Sequence, residues 1–129
     1  MHKTKAMNPE HLKTVLREAA SKEHKALIIC ATQNNLDETR RQLEALAIPM
    51  EVDRHTRNLT ARVRTMDGLV STIEMMVLPN DTHRAAFALA GRHPSQVFTD
   101  EMVDMSLAQY GAVMDRFPLA QTKGGDVNK

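Results

Sequence analysis

At 129 residues, 42% of them apolar and 26% charged, the chain has the size and composition of one globular domain with a core of its own. A formal charge of +1 exerts no global pull on nucleic acid or an anionic membrane, so any such binding needs a local patch. Aromatic residues amount to only 3%, with no Trp, which argues against a base-stacking platform.

Residues 1–7 read as a flexible N-terminus, 8–118 as a single domain and 119–129 as a disordered, Gly-rich tail. Asn8-Pro9 opens a helix whose Leu12, Val15, Leu16, Ala19 and Ala20 share one face. KALIICAT (25–32) is the strongest strand signal; its unbroken apolar run predicts burial on both faces. Gln33-Asn34-Asn35 supplies a turn, and Leu36, Leu43, Leu46 and Ala47 mark a second helix that ends at Pro49. A short strand over 50–53 leads into a hairpin. A three-residue loop, Met66-Asp67-Gly68 with Gly68 left-handed, puts Leu59, Ala61, Val63, Ser71, Ile73, Met75 and Val77 on one face. Thr60, Arg62, Arg64, Thr72 and Glu74 fall on the other, and Met76 with them is expected to be exposed. A third helix over 82–90 is capped by Gly91. A short strand follows over 96–99. The last helix, capped by Asp104 or a near neighbour, carries Leu107, Tyr110, Met114 and Phe117 on its apolar face.

The pieces read as α/β: a small three-layer arrangement with parallel core strands plus a β-hairpin, flanked by about four helices. The same order of elements fits a ferredoxin-like α+β sandwich. What separates the two is whether the strands at 25–32 and 96–99 lie side by side and parallel.

Familiar chemistry has little support. The six histidines lack ligand spacing, so no metal is expected. Cys30 sits inside an apolar strand, which predicts a buried, inert thiol and, with no partner cysteine, a reducing cytoplasm. Ser71 and Ser95 have no nucleophile motif around them. No cofactor is expected, and no apolar run is long enough to span a bilayer.

In chain order, LIICATQ (27–33), LDETRRQL (36–43), RVRTMDGLVSTI (62–73) and GRHPSQVFTDE (91–101) resemble the middle of a P-loop NTPase core, especially phage terminase large subunits and superfamily-two helicases. The resemblance covers about 25–104. It implies a phage origin, and it implies that Asp100 and Glu101 correspond to the acidic pair that holds metal and the attacking water. The first helix would correspond to the one that follows the phosphate loop. The departures are specific. No GxxxxGK[ST] occurs, so the phosphate cradle, its lysine and the magnesium-binding hydroxyl are missing. Thr99 stands where the family has an apolar residue, and the elements that couple hydrolysis to motion after the acidic pair are missing. The expected protein is therefore a degenerate relative and not an enzyme on its own, since a carboxylate pair without bound phosphates has nothing to displace.

Asp100 and Glu101 have two readings: a remnant catalytic pair, or charges that stabilise the start of the last helix. Arg54, Arg57, Arg62 and Arg64 also have two: a nucleic-acid-contacting stripe, or a solvated face. The function that follows is a non-catalytic accessory or regulatory protein binding a nucleic-acid-processing enzyme or NTPase. Direct nucleic-acid binding by the hairpin arginines is one alternative. An incomplete NTPase, given its phosphate loop by a partner subunit, is the other.

Overall fold

The computed structural model describes residues 9–46, 49–55, 57–99, 105–117 and 121–122. The elements are α1 (Pro9–Ser21), β1 (Lys25–Cys30), α2 (Gln33–Ala45), β2 (Glu51–Arg54), β3 (Asn58–Arg64), β4 (Val70–Val77), α3 (Thr82–Leu89), β5 (Gln96–Thr99), α4 (Leu107–Arg116) and β6 (Gln121–Thr122). They build one mixed sheet in the order β2-β3-β4-β1-β5-β6.

β1 is the centre of that sheet. It pairs in parallel with β4 on one side, Ile28 opposite Met75, and with β5 on the other, Ile28 opposite Phe98. Alternate residues of β1 enter two different cores. Ala26, Ile28 and Cys30 pack with Leu12, Val15, Leu16 and Ala19 of α1 and with Leu36 and Leu43 of α2. Leu27 and Ile29 pack with Ala85 and Leu89 of α3 and with Ala112 and Val113 of α4. Helices on both faces explain why the strand is apolar without alternation. The layers are therefore α1/α2, sheet and α3/α4, as the α/β reading expects. The ferredoxin-like alternative is overturned: β1 and β5 are neighbours and parallel.

The hairpin follows the three-residue loop. Ala61 pairs with Ile73 and Val63 with Ser71. The Thr65 N–H donates to Leu69 O at 2.8 Å, leaving Met66-Asp67-Gly68 as the loop, with Gly68 at a φ of +87°. Glycine takes that conformation without the steric cost a Cβ brings. Leu59, Ala61, Val63, Ile73, Met75 and Val77 all join the core beneath α1 and α2. Ser71, the polar member of that face, is also buried, and its hydroxyl reaches Ala19 O (2.7 Å) and Lys22 O (3.0 Å) at the end of α1. Those carbonyls have no partner further along the helix, so the hydroxyl satisfies what the helix end leaves open.

Several expectations change. Met76 is 4% exposed and belongs to the core beneath α3 and α4, because those helices cover the second half of β4. Helix α2 begins at Gln33, with Thr32 as its cap, so 33–35 form its first turn and not a preceding loop. Ser106 caps α4. That helix buries Gln109, Ala112 and Val113, whereas Leu107 is 90% exposed and Tyr110 45%. The tail expected to be disordered from 119 includes Gln121 and Thr122, which pair with Phe98 and Thr99 of β5.

Candidate functional site at the carboxyl edge of the sheet

The parallel strands β1, β4 and β5 all end on one edge, and α2 and α3 both start from it. The turn after β1 is closed by a reciprocal cap. The Asn35 N–H donates to Thr32 Oγ1 (3.1 Å), and the Thr32 N–H donates to Asn35 Oδ1 (3.2 Å). Asn35 is 1% exposed, and Thr39 donates its hydroxyl to Asn35 O (2.8 Å). A second reciprocal cap opens α4: Gln109 N–H to Ser106 Oγ (3.1 Å) and Ser106 N–H to Gln109 Oε1 (3.0 Å).

Gln109 does more than cap. Its Nε2 donates to Ala31 O (3.0 Å), just past β1, and to Leu78 O (2.7 Å), just past β4. One buried amide thus fastens the start of α4 to the ends of two parallel strands. Both carbonyls would otherwise be costly to bury without a donor. The sequence reading missed this residue, though Ser106-x-x-Gln109 is the spacing of a capping box.

Asp100 and Glu101 lie outside the described residues. Thr99, the last residue of β5, is 3% exposed and faces Ile29 across the sheet. Cys30 is fully buried at the end of β1. Among the described residues, no three His, Cys, Asp or Glu side chains gather to hold a metal ion.

The four arginines do not form one stripe. Arg54 pairs with Leu59 across the sheet and lies on the α1/α2 side, where it forms an ion pair with Glu44 of α2. Arg62 is on the opposite face, bonded to Asp53 Oδ2 at 2.8 Å, and Arg64 Nη1 donates to Gly68 O at 3.2 Å. Arg62 and Arg64 line a cavity of about 300 Å³ with Pro49, Met50, Glu51 and Val70. Arg57 stands apart, after β2. Its carbonyl accepts from Val77 N–H (2.9 Å), which seats it beside the end of β4. There it lines a cavity of about 380 Å³ with Pro79, Asn80, Asp81 and Arg84, on the same edge as Gln109.

No protein-family model matches the chain, and no curated protein does. Solved structures do. The large terminase from a thermophilic bacteriophage superimposes with a TM-score of 0.53 at 17% identity, over 87% of this chain and 28% of the terminase chain. The same terminase in complex with ADP gives a TM-score of 0.52 at 16% identity, over 87% of this chain and 27% of its own. The fold is terminase-like. At these identities the likeness speaks for the fold alone, and this chain spans little more than a quarter of the terminase's length. Within the terminase-like sheet, the segments that carry the sequence resemblance are neighbours: LIICATQ forms β1 and the start of α2, RVRTMDGLVSTI runs from β3 into β4, and QVFT is β5.

Proposed function

We propose that this chain is a non-catalytic accessory or regulatory protein, of phage origin, that binds a nucleic-acid-processing enzyme or an NTPase. Two features frame the reading: the terminase-like fold and the lack of any GxxxxGK[ST] in these 129 residues. Without that loop the chain has no backbone cradle for the phosphates of a nucleotide.

The observation that carries the partner-binding part is the outer side of the α3/α4 layer. Phe87 is 83% exposed, Leu107 90% and Tyr110 45%, although α3 and α4 already bury their inner faces against the sheet. Exposed aromatic and aliphatic side chains on a helical layer are what protein interfaces cover. The test has two arms. Purified chain with magnesium and γ-labelled ATP should release no phosphate. Capture from the native host should retrieve a nucleic-acid enzyme or NTPase with the parent chain and lose it with Phe87→Asp/Leu107→Asp. Turnover by the chain alone, abolished in Glu101→Gln, overturns the reading.

One observation favours the completed-NTPase alternative. β6 ends the sheet, and among the described residues no strand pairs with its outer side. A partner that adds a strand and a phosphate loop there would give hydrolysis only in the mixture, and no hydrolysis by either chain alone.

A further inference from the structure

Three charged cavities among the described residues differ in how their arginines are matched. In the hairpin cavity Arg62 is held by Asp53. In a cavity at the amino edge, lined by Lys25, Thr72 and His93 among others, Arg92 is held by Glu74. The cavity at the carboxyl edge is lined by both Arg57 and Arg84, and among the described residues neither forms an ion pair.

Both positions are set by backbone. Arg57 is pinned by Val77 N–H to its carbonyl at 2.9 Å. Arg84 lies in the first turn of α3, where its own N–H donates to Asp81 Oδ2 at 3.0 Å. Pro79 and Asn80 line the same hollow, and Asn80 is exposed with an amide able to donate. Asp81 is the one carboxylate in the lining, and it is turned to the helix start. Two planar, permanently charged forks and an amide donor among the residues that line one hollow are the donor types that bind a phosphate group. A cavity of about 380 Å³ is roomy enough for one.

We propose that Arg57 and Arg84, with Asn80, form a phosphate-binding site at the carboxyl edge beside β4, taking either a phosphodiester of a nucleic-acid backbone or a free phosphate group. The site is distinct from the hairpin face of Arg62 and Arg64, and it does not depend on the accessory reading above.

The experiment uses the full chain at low salt with two probes: a fluorescent 20-base-pair duplex followed by anisotropy, and inorganic phosphate followed by amide chemical shifts. Arg57→Ala and Arg84→Ala should each weaken binding about tenfold, the loss expected for a charge-assisted contact. If the duplex is the ligand, the double variant should flatten the slope of log K against log salt by about 1.8, the value for two phosphate contacts. Asp81→Asn keeps the helix cap, since Asn and Asp cap equally, but removes the opposing charge; it should tighten binding about threefold. Loss with Arg57→Ala/Arg84→Ala on the duplex alone assigns the backbone phosphodiester; loss on phosphate alone assigns the free anion. Failure of both probes to bind overturns the proposal. So does binding that survives the double variant, or that falls equally in Arg62→Ala/Arg64→Ala. All these positions are exposed, so the variants should keep the fold, and unchanged circular dichroism confirms it.

Discussion

Two halves of the sheet meet along β4, and they are built differently. The parallel half, β4-β1-β5, is covered by helices on both faces. The antiparallel wing, β2-β3, is covered by α1 and α2 on one face, while its other carries Glu51, Asp53, Thr60, Arg62 and Arg64. β4 itself records the change. Thr72 and Glu74 are half-buried on the wing side, then Met76, Val77 and Leu78 are buried in succession. Where a strand stops alternating, a second layer has arrived. The difference separates what is structural in this fold from what is free to interact: the parallel half commits its side chains to cores, and the wing and the sheet edges keep theirs for solvent or ligands.

The contrast can be broken by substitution, and the largest effect belongs to the parallel half. Ile28→Ala removes a fully buried side chain at the centre of β1 and should cost about 2–5 kcal/mol in urea denaturation. A loss under about 1 kcal/mol would mean that β1 is not the centre of the core. Gln109→Ala strips the donor from Ala31 O and Leu78 O and should cost roughly 1–3 kcal/mol, read from the same unfolding curves. Gly68→Ala forces a Cβ into the left-handed region at an open site and should cost about 1–2 kcal/mol, seen as a lowered Tm. Arg62→Ala, on the open face of the wing, should shift stability by less than about 1 kcal/mol, because exposed ion pairs contribute little. If Arg62→Ala cost as much as Ile28→Ala, the two halves would not be energetically distinct.

The sequence told much of this where physics is local. The hairpin register was legible because Leu59, Ala61 and Val63 alternate strictly with polar residues, and because one loop length alone keeps the apolar set together. β1 was legible from five apolar residues in a row. The parallel β1–β5 neighbourhood was expected from the order of the terminase-like motifs, and the ferredoxin-like alternative could not be removed by pattern alone. Helix α4 was misread for a physical reason. Periodicity put Leu107 and Tyr110 inward, but the ends of β1 and β4 present two carbonyls that need a donor, and Gln109 answers them. Partners such as Asp53 for Arg62 and Glu44 for Arg54 arise from register and from helix packing, so a basic cluster in sequence dispersed in space. The acidic pair that the family pattern singles out, Asp100 and Glu101, lies outside the described residues, so the candidate site rests on Gln109, Arg57 and Arg84 instead.

The tip of the hairpin is tied to the first helix. Met66 has a side chain 91% exposed, yet its N–H donates to Ala20 O at 3.1 Å, while Ser71 on the returning strand holds Ala19 O and Lys22 O. A loop fastened in this way does not open by itself: its release requires the last turn of α1 to let go. Amide exchange should therefore show the Met66 proton leaving on the timescale of the α1 amides, with the helix and the loop behaving as one cooperative unit rather than as a rigid element and a frayed turn.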